Sequence, residues 1–465
     1  MRVVLADVRG GSGFVSKDTV AGGYGSRLRP FSRVTRIVTW LKCHFHDVPS
    51  VQLASVAALA AAGGHTVRYT EGRVVDGDLA IVLSSLVDHR RETAFADRLR
   101  ARGVRVGFVG LAASRMPQLF ADHADFTVNG EPEHAVARAF DGESLRGIVV
   151  SEPVTELDSL PFPRWDLVTE RRGFRYGIKW SSRPVGGGFP LLASRGCPEF
   201  CTYCPHRILA GYRARGVASI VSEIVSLAAR HPNPYIIFRD PLFTQDRDRC
   251  VAFADEVRRR GVRFLFECET RLDRLDPTLL NTLRAAGLRA MSFGVESLLP
   301  STLKKVGRRP TPASHQRLII DHCRRLGIVT AAFYVLGFLD DSWESISATI
   351  QYAIDLGSTV AQFKLLTPYP GTPLWTQLAP RVTETDWERF DGFTPTFRHP
   401  ALSADEMRFL LGAAYTRFYM RPSYLANYCR VEGRRLRRLA TRLDARVSAQ
   451  QARHEVAMMS RAVAC

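Results

Sequence analysis

The chain of 465 residues has no apolar run long enough to cross a membrane, no short repeat and no low-complexity tract. A membrane-spanning helix needs about 20 apolar residues, and the longest apolar stretch, Val51 to Ala62, is shorter and contains Gln52 and Ser55. The start of the chain lacks the long apolar segment of a signal peptide. These absences exclude membrane-spanning, collagen-like and solenoid architectures and predict a globular, cytoplasmic protein.

Cysteine is scarce and scattered. The chain has nine cysteines, most of them far apart, which is not the spacing of a secreted disulfide framework. Among the first 150 residues the sequence has one cysteine, Cys43. The exception to the scatter is a group of three, Cys197, Cys201 and Cys204, within eight residues. We interpret the other cysteines as ordinary thiols.

Acidic residues are the scarcer charged type. Against 64 Lys and Arg there are 46 Asp and Glu, and the formal net charge is +18. This balance favours contact with phosphates, anionic cofactors or an acidic membrane surface, and charge alone does not choose among them. Hydrophobic residues make up 46% of the chain, which is enough apolar material for two or three domains.

The first 150 residues alternate between short apolar strands and helices, which predicts a parallel, doubly wound α/β sheet. Such sheets bind ligands at the carboxyl ends of their strands. Small or acidic residues follow three of the predicted strands, namely Ser84, Ser85, Gly110, Gly130 and Glu131. Two interpretations stay open for them: a ligand-binding edge, or the ordinary turn residues that end any strand.

Three further regions follow. Residues 151–188, with four prolines and a run of three glycines, are predicted to be a linker. Residues 189–380 contain six strand-and-helix units, which suit a partial or complete barrel with its functional face at the strand carboxyl ends. Residues 381–465 are predicted to be helical. Their end, residues 430–465, holds nine arginines against three acidic residues, so it either packs on the barrel or contacts a membrane surface.

The three clustered cysteines predict a metal centre on a loop after the first barrel strand. Thiolates at this spacing can hold zinc or an iron-sulfur cluster. Zinc in a structural site takes four ligands, and His206 is close enough in sequence to be the fourth. A cluster of four irons held by three thiolates instead leaves one iron open to a chelating molecule. Both metals remain possible from the residues alone.

The cysteine motif resembles that of the radical S-adenosylmethionine superfamily. It has the Cys-x3-Cys-x2-Cys spacing, with Tyr203 in the aromatic position before the last cysteine. Further segments are similar to the cobalamin-binding branch of that superfamily, and the resemblance covers roughly residues 1 to 420. These segments are residues 160–166 (LPFPRWD), 238–240 (FRD), 267–271 (ECETR), 293–297 (FGVES), 336–338 (LGF) and 367–372 (TPYPGT).

The resemblance implies a 4Fe-4S cluster on Cys197, Cys201 and Cys204, with S-adenosylmethionine on the open iron. It also implies that S-adenosylmethionine is contacted by four residues: Tyr203, Asp240, Arg271 and Glu296. The residues themselves agree in part, because the last three each follow a predicted barrel strand and should point into a common mouth. Taken singly, each of these charged residues is also a candidate for a structural ion pair.

The resemblance further implies a cobalamin-binding, Rossmann-like N-terminal domain, a partial (β/α)6 barrel and a helical C-terminal region. Cobalamin would lie against Ser84, Ser85, Gly110, Gly130 and Glu131, where small residues permit close approach. The sequence lacks the Asp-x-His-x-x-Gly pattern that places a histidine beneath cobalt, and His44, His46 and His65 lie outside such a frame. Binding without a protein histidine is therefore expected, with loss of the cofactor as the alternative.

The implied activity is cobalamin-dependent methyl transfer to an unactivated carbon, or to phosphorus, of a small metabolite, peptide or lipid through a 5'-deoxyadenosyl radical. Ring contraction, cyclisation or rearrangement without methyl transfer is the alternative, and a binding protein with a silent barrel is a more distant one. Transfer-RNA methylthiolation requires three N-terminal cysteines and is disfavoured. We expect a monomer that takes electrons from a flavodoxin or ferredoxin and binds no nucleic acid. No catalytic side chain is predicted.

Overall fold

The computed structural model of the protein describes residues 1–17, 23–45, 48–168 and 188–426. Residues 169–187, which are half of the predicted linker, and the arginine-rich end at residues 430–465 lie outside the described residues. We call residues 1–151 the N-terminal lobe and residues 188–426 the barrel lobe. The last strand of the first lobe ends at Ser151 and the first strand of the second begins at Gly188.

The N-terminal lobe contains a six-stranded parallel sheet with strand order β4-β1-β5-β6-β7-β8. This order reverses between β1 and β5, and open sheets bind ligands beside such a reversal at the strand carboxyl ends. Its elements are β1 (Arg2–Ala6), β2 (Phe14–Ser16), β3 (Ser26–Leu28), α1 (Arg33–Phe45), α2 (Val51–Ala62), β4 (Thr66–Thr70), β5 (Leu79–Leu83), α3 (His89–Arg100), β6 (Arg105–Val109), α4 (Leu111–Arg115), β7 (Phe126–Gly130), α5 (Pro132–Phe140) and β8 (Gly147–Ser151).

Helices cover both faces of this sheet, which explains why its central strand is apolar throughout. In β5, Leu79 and Ile81 pack with α2 and α5, whereas Ala80 and Val82 pack with α3 and α4 on the other face. All five residues of β5 are buried. A strand buried on both faces is expected to be a continuous apolar run and not an alternating one.

The barrel lobe contains a second six-stranded parallel sheet, with order β16-β15-β14-β13-β12-β9. Consecutive parallel strands with intervening helices form a partial barrel, and in the described residues β9 and β16 are its edge strands. Its elements are β9 (Gly188–Leu191), β10 (Ser194–Arg195), α6 (His206–Leu209), β11 (Arg213–Ala214), α7 (Val217–Arg230), β12 (Tyr235–Phe238), α8 (Arg247–Arg260), β13 (Leu265–Thr270), α9 (Pro277–Ala286), β14 (Leu288–Glu296), α10 (Pro300–Lys305), α11 (Ala313–Leu326), β15 (Val329–Leu336), α12 (Trp343–Leu356), β16 (Val360–Leu365), α13 (Pro373–Leu378) and α14 (Ala404–Tyr419).

The C-terminal region is less helical than the sequence suggests. Between Phe390 and Ser403 the chain is not helical and instead makes a bridge between Val382 and Phe397. Gly392, Pro395 and Pro400 interrupt a helix in this stretch. Helix α14 then begins with a capping box at Ser403. In the described ranges no helix combines the length and apolar character that crossing a membrane requires.

The barrel lobe is held together by a cluster of phenylalanines between β12, β13 and α8. Phe266 is fully buried and its ring lies 5.6 Å from that of Phe238, 5.7 Å from that of Phe264 and 5.9 Å from that of Phe253. The pairs with Phe238 and Phe253 are edge-to-face and the pair with Phe264 is stacked, and aromatic pairs in these geometries add about 0.5–1.5 kcal/mol each to the effect of burial. The cluster fixes α8 against the strands that position the site.

We expect Phe266→Ala to destabilise the barrel lobe by roughly 3–5 kcal/mol, because it removes a buried ring and leaves a cavity. The measurement is the urea midpoint of the loss of tertiary fluorescence. Phe409→Ala is the matched control, since Phe409 is 63% exposed and its truncation should shift the midpoint little. Equal midpoints for the two variants would contradict this account of the core.

Candidate active site

The three clustered cysteines lie on a loop at the carboxyl end of the partial barrel. We call residues 197–204 the cysteine loop. Cys201 is buried, and Cys197 and Cys204 are half-buried. Thr202 anchors the loop on two sides, since its backbone N–H donates to Val306 O and its carbonyl accepts from Leu374 N, both at 3.0 Å.

The donor set of the cysteine loop fits an iron-sulfur cluster better than a single ion. In the described part of the chain no three His, Cys, Asp or Glu side chains are arranged around one metal-ion position, so the three cysteines and His206 do not form a zinc site there. Burial raises the pKa of Cys197 and raises that of Cys204 to about 12. Thiols so buried become thiolates when a strong cation binds them, as cluster iron does.

Beside the loop, Tyr203, Glu296 and Arg308 form a compact polar group. Burial raises the pKa of Glu296, although the charge of Arg308 and a hydrogen bond from Tyr203 oppose that shift. Arg308 Nη2 lies 3.7 Å from Glu296 Oε1, and Arg308 Nη1 lies 3.9 Å from Cys201 Sγ. One guanidinium therefore links the Glu296 carboxylate to the cysteine loop.

Glu296 reaches this position through an irregular end of β14. The register with β15 shifts between Gly294 and Glu296, and Glu296 has a φ of 68°. A Cβ built on Gly294 would lie 1.9 Å from Glu296 Oε1 and 2.9 Å from Arg308 Nη2. Glycine at 294 therefore allows the carboxylate and the guanidinium to meet beside the strand.

Asp240 and Arg271 bond to the segment before the cysteine loop and to the loop itself, and their contact with S-adenosylmethionine stays a prediction. Asp240 is fully buried; it accepts hydrogen bonds from Ala193 N (3.0 Å) and from Ser194 Oγ (2.5 Å). Arg271 bonds Glu199 of the cysteine loop (2.9 Å) and Asp273 (2.8 Å). Neither residue lines the cavity described next, whereas Tyr203 and Glu296 both do.

A cavity of about 330 Å³ lies between the two lobes. The barrel lobe contributes the ends of its strands and the cysteine loop, and the N-terminal lobe contributes the first turns of α2 and α5 together with the β2–β3 hairpin. Its lining is mostly apolar or aromatic, with Tyr203, Cys204, His206, Glu296, Gln362 and Lys364 on the barrel side and Tyr24, Gln52, Ser55, Glu131 and Glu133 on the other. Carboxyl ends of strands from both sheets thus face one space.

Two buried acceptor atoms on the N-terminal wall lack a partner. Gln52 Oε1 in α2 and Glu133 Oε2 in α5 are both shielded from solvent and accept no hydrogen bond among the described residues. Gln52 is 6% exposed and Glu133 is 3% exposed, and both line the cavity. An unsatisfied buried acceptor costs roughly 1–3 kcal/mol. The wall is therefore complementary to a molecule that carries hydrogen-bond donors.

Glu131 joins the two lobes through a buried network of charges. It pairs with Arg195 of β10 (3.1 Å) and with Arg213 of β11, and it accepts a hydrogen bond from Val154 N (2.9 Å). Arg195 also pairs with Glu133 (2.6 Å). Burial alone would raise the pKa of Glu131, but the hydrogen bond from Arg213 and the charge of Arg195 lower it below its usual value.

The other residues predicted to contact a cofactor in this lobe do not line the cavity. Ser84 Oγ donates to Val109 O (2.8 Å), and Ser85 Oγ donates to Glu92 (2.6 Å). Gly110 is the N-cap of α4, and a Cβ on Gly130 would lie 2.2 Å from a backbone oxygen of β8. Each of these residues has a role in the lobe itself, and their contact with a cofactor stays a prediction.

Sequence reasoning missed four side chains of the site: Gln52, Arg195, Lys364 and Arg308. Gln52 is the informative case, because a lone amide within the apolar run of α2 is a signal in the sequence itself. Lys364 alternates with apolar neighbours in β16, which indicates a side chain on the inner face of the barrel. Arg195 and Arg308 belong to the site only through contacts with segments that are distant in sequence, so no local pattern in the sequence points to them.

Residues 191–353 match the family described as the Radical SAM superfamily. Three relatives have names that indicate an activity. An uncharacterized methyltransferase of Pyrococcus horikoshii is 27% identical over 325 residues, which are 65% of this chain and 68% of the relative. An anaerobic magnesium-protoporphyrin IX monomethyl ester cyclase of Rubrivivax gelatinosus is 26% identical (65% and 54%). A bacteriochlorophyllide d C-12(1)-methyltransferase of Chlorobaculum tepidum is 25% identical (71% and 72%).

Two solved structures share the fold over most of the chain. One is the radical S-adenosylmethionine methyltransferase TsrM from Kitasatospora setae, with cobalamin and a [4Fe-4S] cluster bound. It has a TM-score of 0.62 at 16% identity, and the match covers 89% of this chain and 90% of TsrM. The cobalamin-dependent radical enzyme OxsB, with aqua-cobalamin and S-adenosylmethionine bound, has a TM-score of 0.64 at 12% identity. The match covers 93% of this chain and 71% of OxsB. At these identities the likeness establishes the fold.

We expect Glu131→Gln to destabilise the protein at pH 7 by roughly 3–5 kcal/mol, because Arg195 and Arg213 lose a buried countercharge. The folded-state pKa of Glu131 is lowered from 4.5. Its contribution is therefore complete above about pH 4.5 and is lost as the pH falls through the folded-state pKa. The measurement is the urea midpoint between pH 7 and pH 3.

The matched control is Glu143→Gln, which removes the carboxylate of an exposed pair with Arg138. We expect this variant to behave like the wild type at pH 7. If Glu131→Gln and Glu143→Gln have the same midpoint, the network does not join the lobes in the way described.

Proposed function

We propose that this chain, which belongs to the radical S-adenosylmethionine superfamily, is a cobalamin-dependent methyltransferase acting on an unactivated carbon or on phosphorus. The substrate would be a small metabolite, peptide or lipid, and the single electron would come from an external carrier protein. Methyltransferases among its relatives support this proposal. The two structures that share its fold bind cobalamin, which supports it further.

The observation that carries the proposal is the cavity that residues of both lobes line. Cys204 and Tyr203 line one side of it, and Gln52 and Glu133 line the opposite side. Transfer of a methyl group to a substrate radical requires two cofactors and the substrate in one enclosed space. A cavity lined by both lobes would bring the proposed sites of the two cofactors side by side.

On the barrel side, Cys197, Cys201 and Cys204 would hold the 4Fe-4S cluster, which supplies the electron that cleaves S-adenosylmethionine. Tyr203 and Glu296 border the cavity beside it and would orient the polar groups of S-adenosylmethionine. Arg308 holds Glu296 in place. Asp240 and Arg271 would act indirectly, through Ser194 and Glu199.

On the N-terminal side, cobalamin would lie against the wall formed by α2 and α5. Its corrin ring carries primary amides, which are hydrogen-bond donors, and the buried acceptors of Gln52 and Glu133 are suited to receive such donors. The proposed division assigns residues 1–150 to the cobalamin-binding domain, 151–188 to the linker, 189–380 to the radical domain and 381–465 to the C-terminal region.

The test is anaerobic reconstitution with iron, sulfide and cobalamin, followed by quantification of both products of S-adenosylmethionine. Methyl transfer yields S-adenosylhomocysteine together with 5'-deoxyadenosine. Cyclisation or rearrangement, which the cyclase among the relatives makes the second candidate, yields 5'-deoxyadenosine without S-adenosylhomocysteine. Absence of 5'-deoxyadenosine under strong reductant would refute both.

We expect Cys201→Ala to abolish 5'-deoxyadenosine formation, because two thiolates do not hold the cluster with an open iron. Iron content and the visible absorption of the reconstituted protein measure the loss directly. The control is Cys323→Ala, which removes a buried thiol of α11 outside the loop and should retain the cluster. Wild-type iron content in Cys201→Ala would overturn the assignment of the loop.

We expect Gln52→Leu to weaken retention of cobalamin about tenfold while the iron content stays that of the wild type. The change removes one acceptor from the wall without altering the barrel. A hydrogen bond contributes roughly 0.5–1.5 kcal/mol, and about 1.4 kcal/mol corresponds to a tenfold change in affinity. Retention is measured from corrin absorbance after gel filtration. Ser55→Ala, on the same helix, is the control, because Ser55 Oγ is already bonded to Val51 O. Equal retention in both variants would contradict the proposed wall.

A further inference from the structure

An aromatic side chain is exposed at the cysteine loop. Phe200 directly precedes Cys201 and is 58% exposed. Its carbonyl packs so closely against Gly307 that a Cβ there would lie 2.1 Å from the oxygen. A single exposed aromatic residue carries no conclusion by itself, so the conclusion depends on what surrounds it.

A basic segment runs along this side of the loop. Residues 304–309 have the sequence Lys-Lys-Val-Gly-Arg-Arg, and we call them the basic strap. Thr202 N donates to Val306 O (3.0 Å), and Arg308 reaches from the strap to Cys201 Sγ (3.9 Å). The strap therefore touches the loop at two points, one of them a cysteine.

The outer face of the strap is positively charged. Lys304, Lys305 and Arg309 are exposed, while Arg308 turns inward. The neighbouring Asp340 pairs with Lys305 at 2.8 Å. Even with that pair neutralised, Lys304 and Arg309 remain as exposed cations on the strap, which contacts the Phe200 carbonyl at Gly307.

The nearest carboxylate of the cysteine loop does not cancel this charge. Glu199 is engaged by Arg271 and Arg274, each at 2.9 Å, and Asp273 pairs with Arg271, so these four charges balance and the net positive charge of this surface comes from the strap. Arg271 also donates to Arg309 O (3.2 Å), which ties the strap to the same group. The surface around Phe200 is thus apolar at its centre and basic at its border.

We propose that Phe200 and the basic strap form the docking surface for an acidic one-electron carrier protein of the flavodoxin type. This inference rests on the proposed function, which needs one electron for each cleavage of S-adenosylmethionine. The reduced carrier gives up one electron and is oxidised, and the cluster held by Cys201 and its two partners gains that electron. No bond is made or broken in this step.

Charge and position together favour this partner. Electron-transfer complexes are small and short-lived, and oppositely charged patches steer their encounter. An exposed aromatic residue adjacent in sequence to a cluster cysteine offers a close approach for the carrier. A nucleic acid would also be attracted to the strap, but the charge lies beside a redox centre and covers only a short segment.

The experiment compares Lys304→Glu/Arg309→Glu with the wild type at low salt. Neither side chain lines the cavity, so 5'-deoxyadenosine formation driven by dithionite should stay within twofold of the wild type. Formation driven by reduced flavodoxin should fall at least tenfold, because the encounter changes from attraction to repulsion. High salt should lower the flavodoxin-driven rate of the wild type towards that of the variant.

A binding measurement gives a second readout that does not use activity. We expect the Kd of the reconstituted protein for flavodoxin to rise at least tenfold in the variant, and carbodiimide to cross-link flavodoxin to Lys305 in the wild type. The matched control is Arg258→Glu/Arg263→Glu, which reverses two exposed charges before β13, at the opposite end of the barrel.

Three outcomes would overturn the docking surface: equal effects of the two double variants, equal falls with dithionite and with flavodoxin, or oligonucleotide binding at the strap that flavodoxin does not displace. Failure of the proposed function has a different signature. In that case the wild type forms no 5'-deoxyadenosine even with dithionite, while the binding comparison between the double variants still reports on the surface.

Discussion

Charges that are buried between the two lobes must be paired, and this constraint organises the site. Arg195 lies on β10 and reaches Glu131 and Glu133 of the N-terminal lobe. Ser194, the neighbour of Arg195, donates a hydrogen bond to Asp240. The cysteine loop begins at Cys197, two residues after Arg195. The ion pairs that join the lobes therefore also hold the segment that leads into the cysteine loop. Glu131, Glu133 and Arg195 of this network also line the cavity.

A second contact between the lobes comes from the β2–β3 hairpin. Tyr24 stacks on Tyr369 with 5.4 Å between ring centres, and its hydroxyl donates to Pro370 O. The hairpin lies over the strand ends at the reversal of sheet order, where Gly25 packs against Ser85 and Val87. The hairpin also lines the cavity, together with α2 and α5.

The alternation of elements and the cysteine loop could be predicted from sequence because both are local patterns. The apolar stretch Val51 to Ala62 forms α2, and the six barrel strands are all present. The fates of Asp240 and Arg271 could not be predicted, because a charged residue after a strand can turn towards the mouth or towards a neighbouring loop. The partners of Ser84 and Ser85 could not be predicted for the same reason: their hydroxyls donate to Val109 O and to Glu92.

The network between the lobes also bears on how long a molecule stays inside the cavity. The described walls can separate widely only if Arg195 leaves both Glu131 and Glu133, and exposing such charges singly is slow because each loses its countercharge. Escape of a large guest is then limited by the opening rate of the protein as well as by its own affinity. The time that a molecule stays in the cavity and the resistance of the protein to unfolding then depend on the same ion pairs.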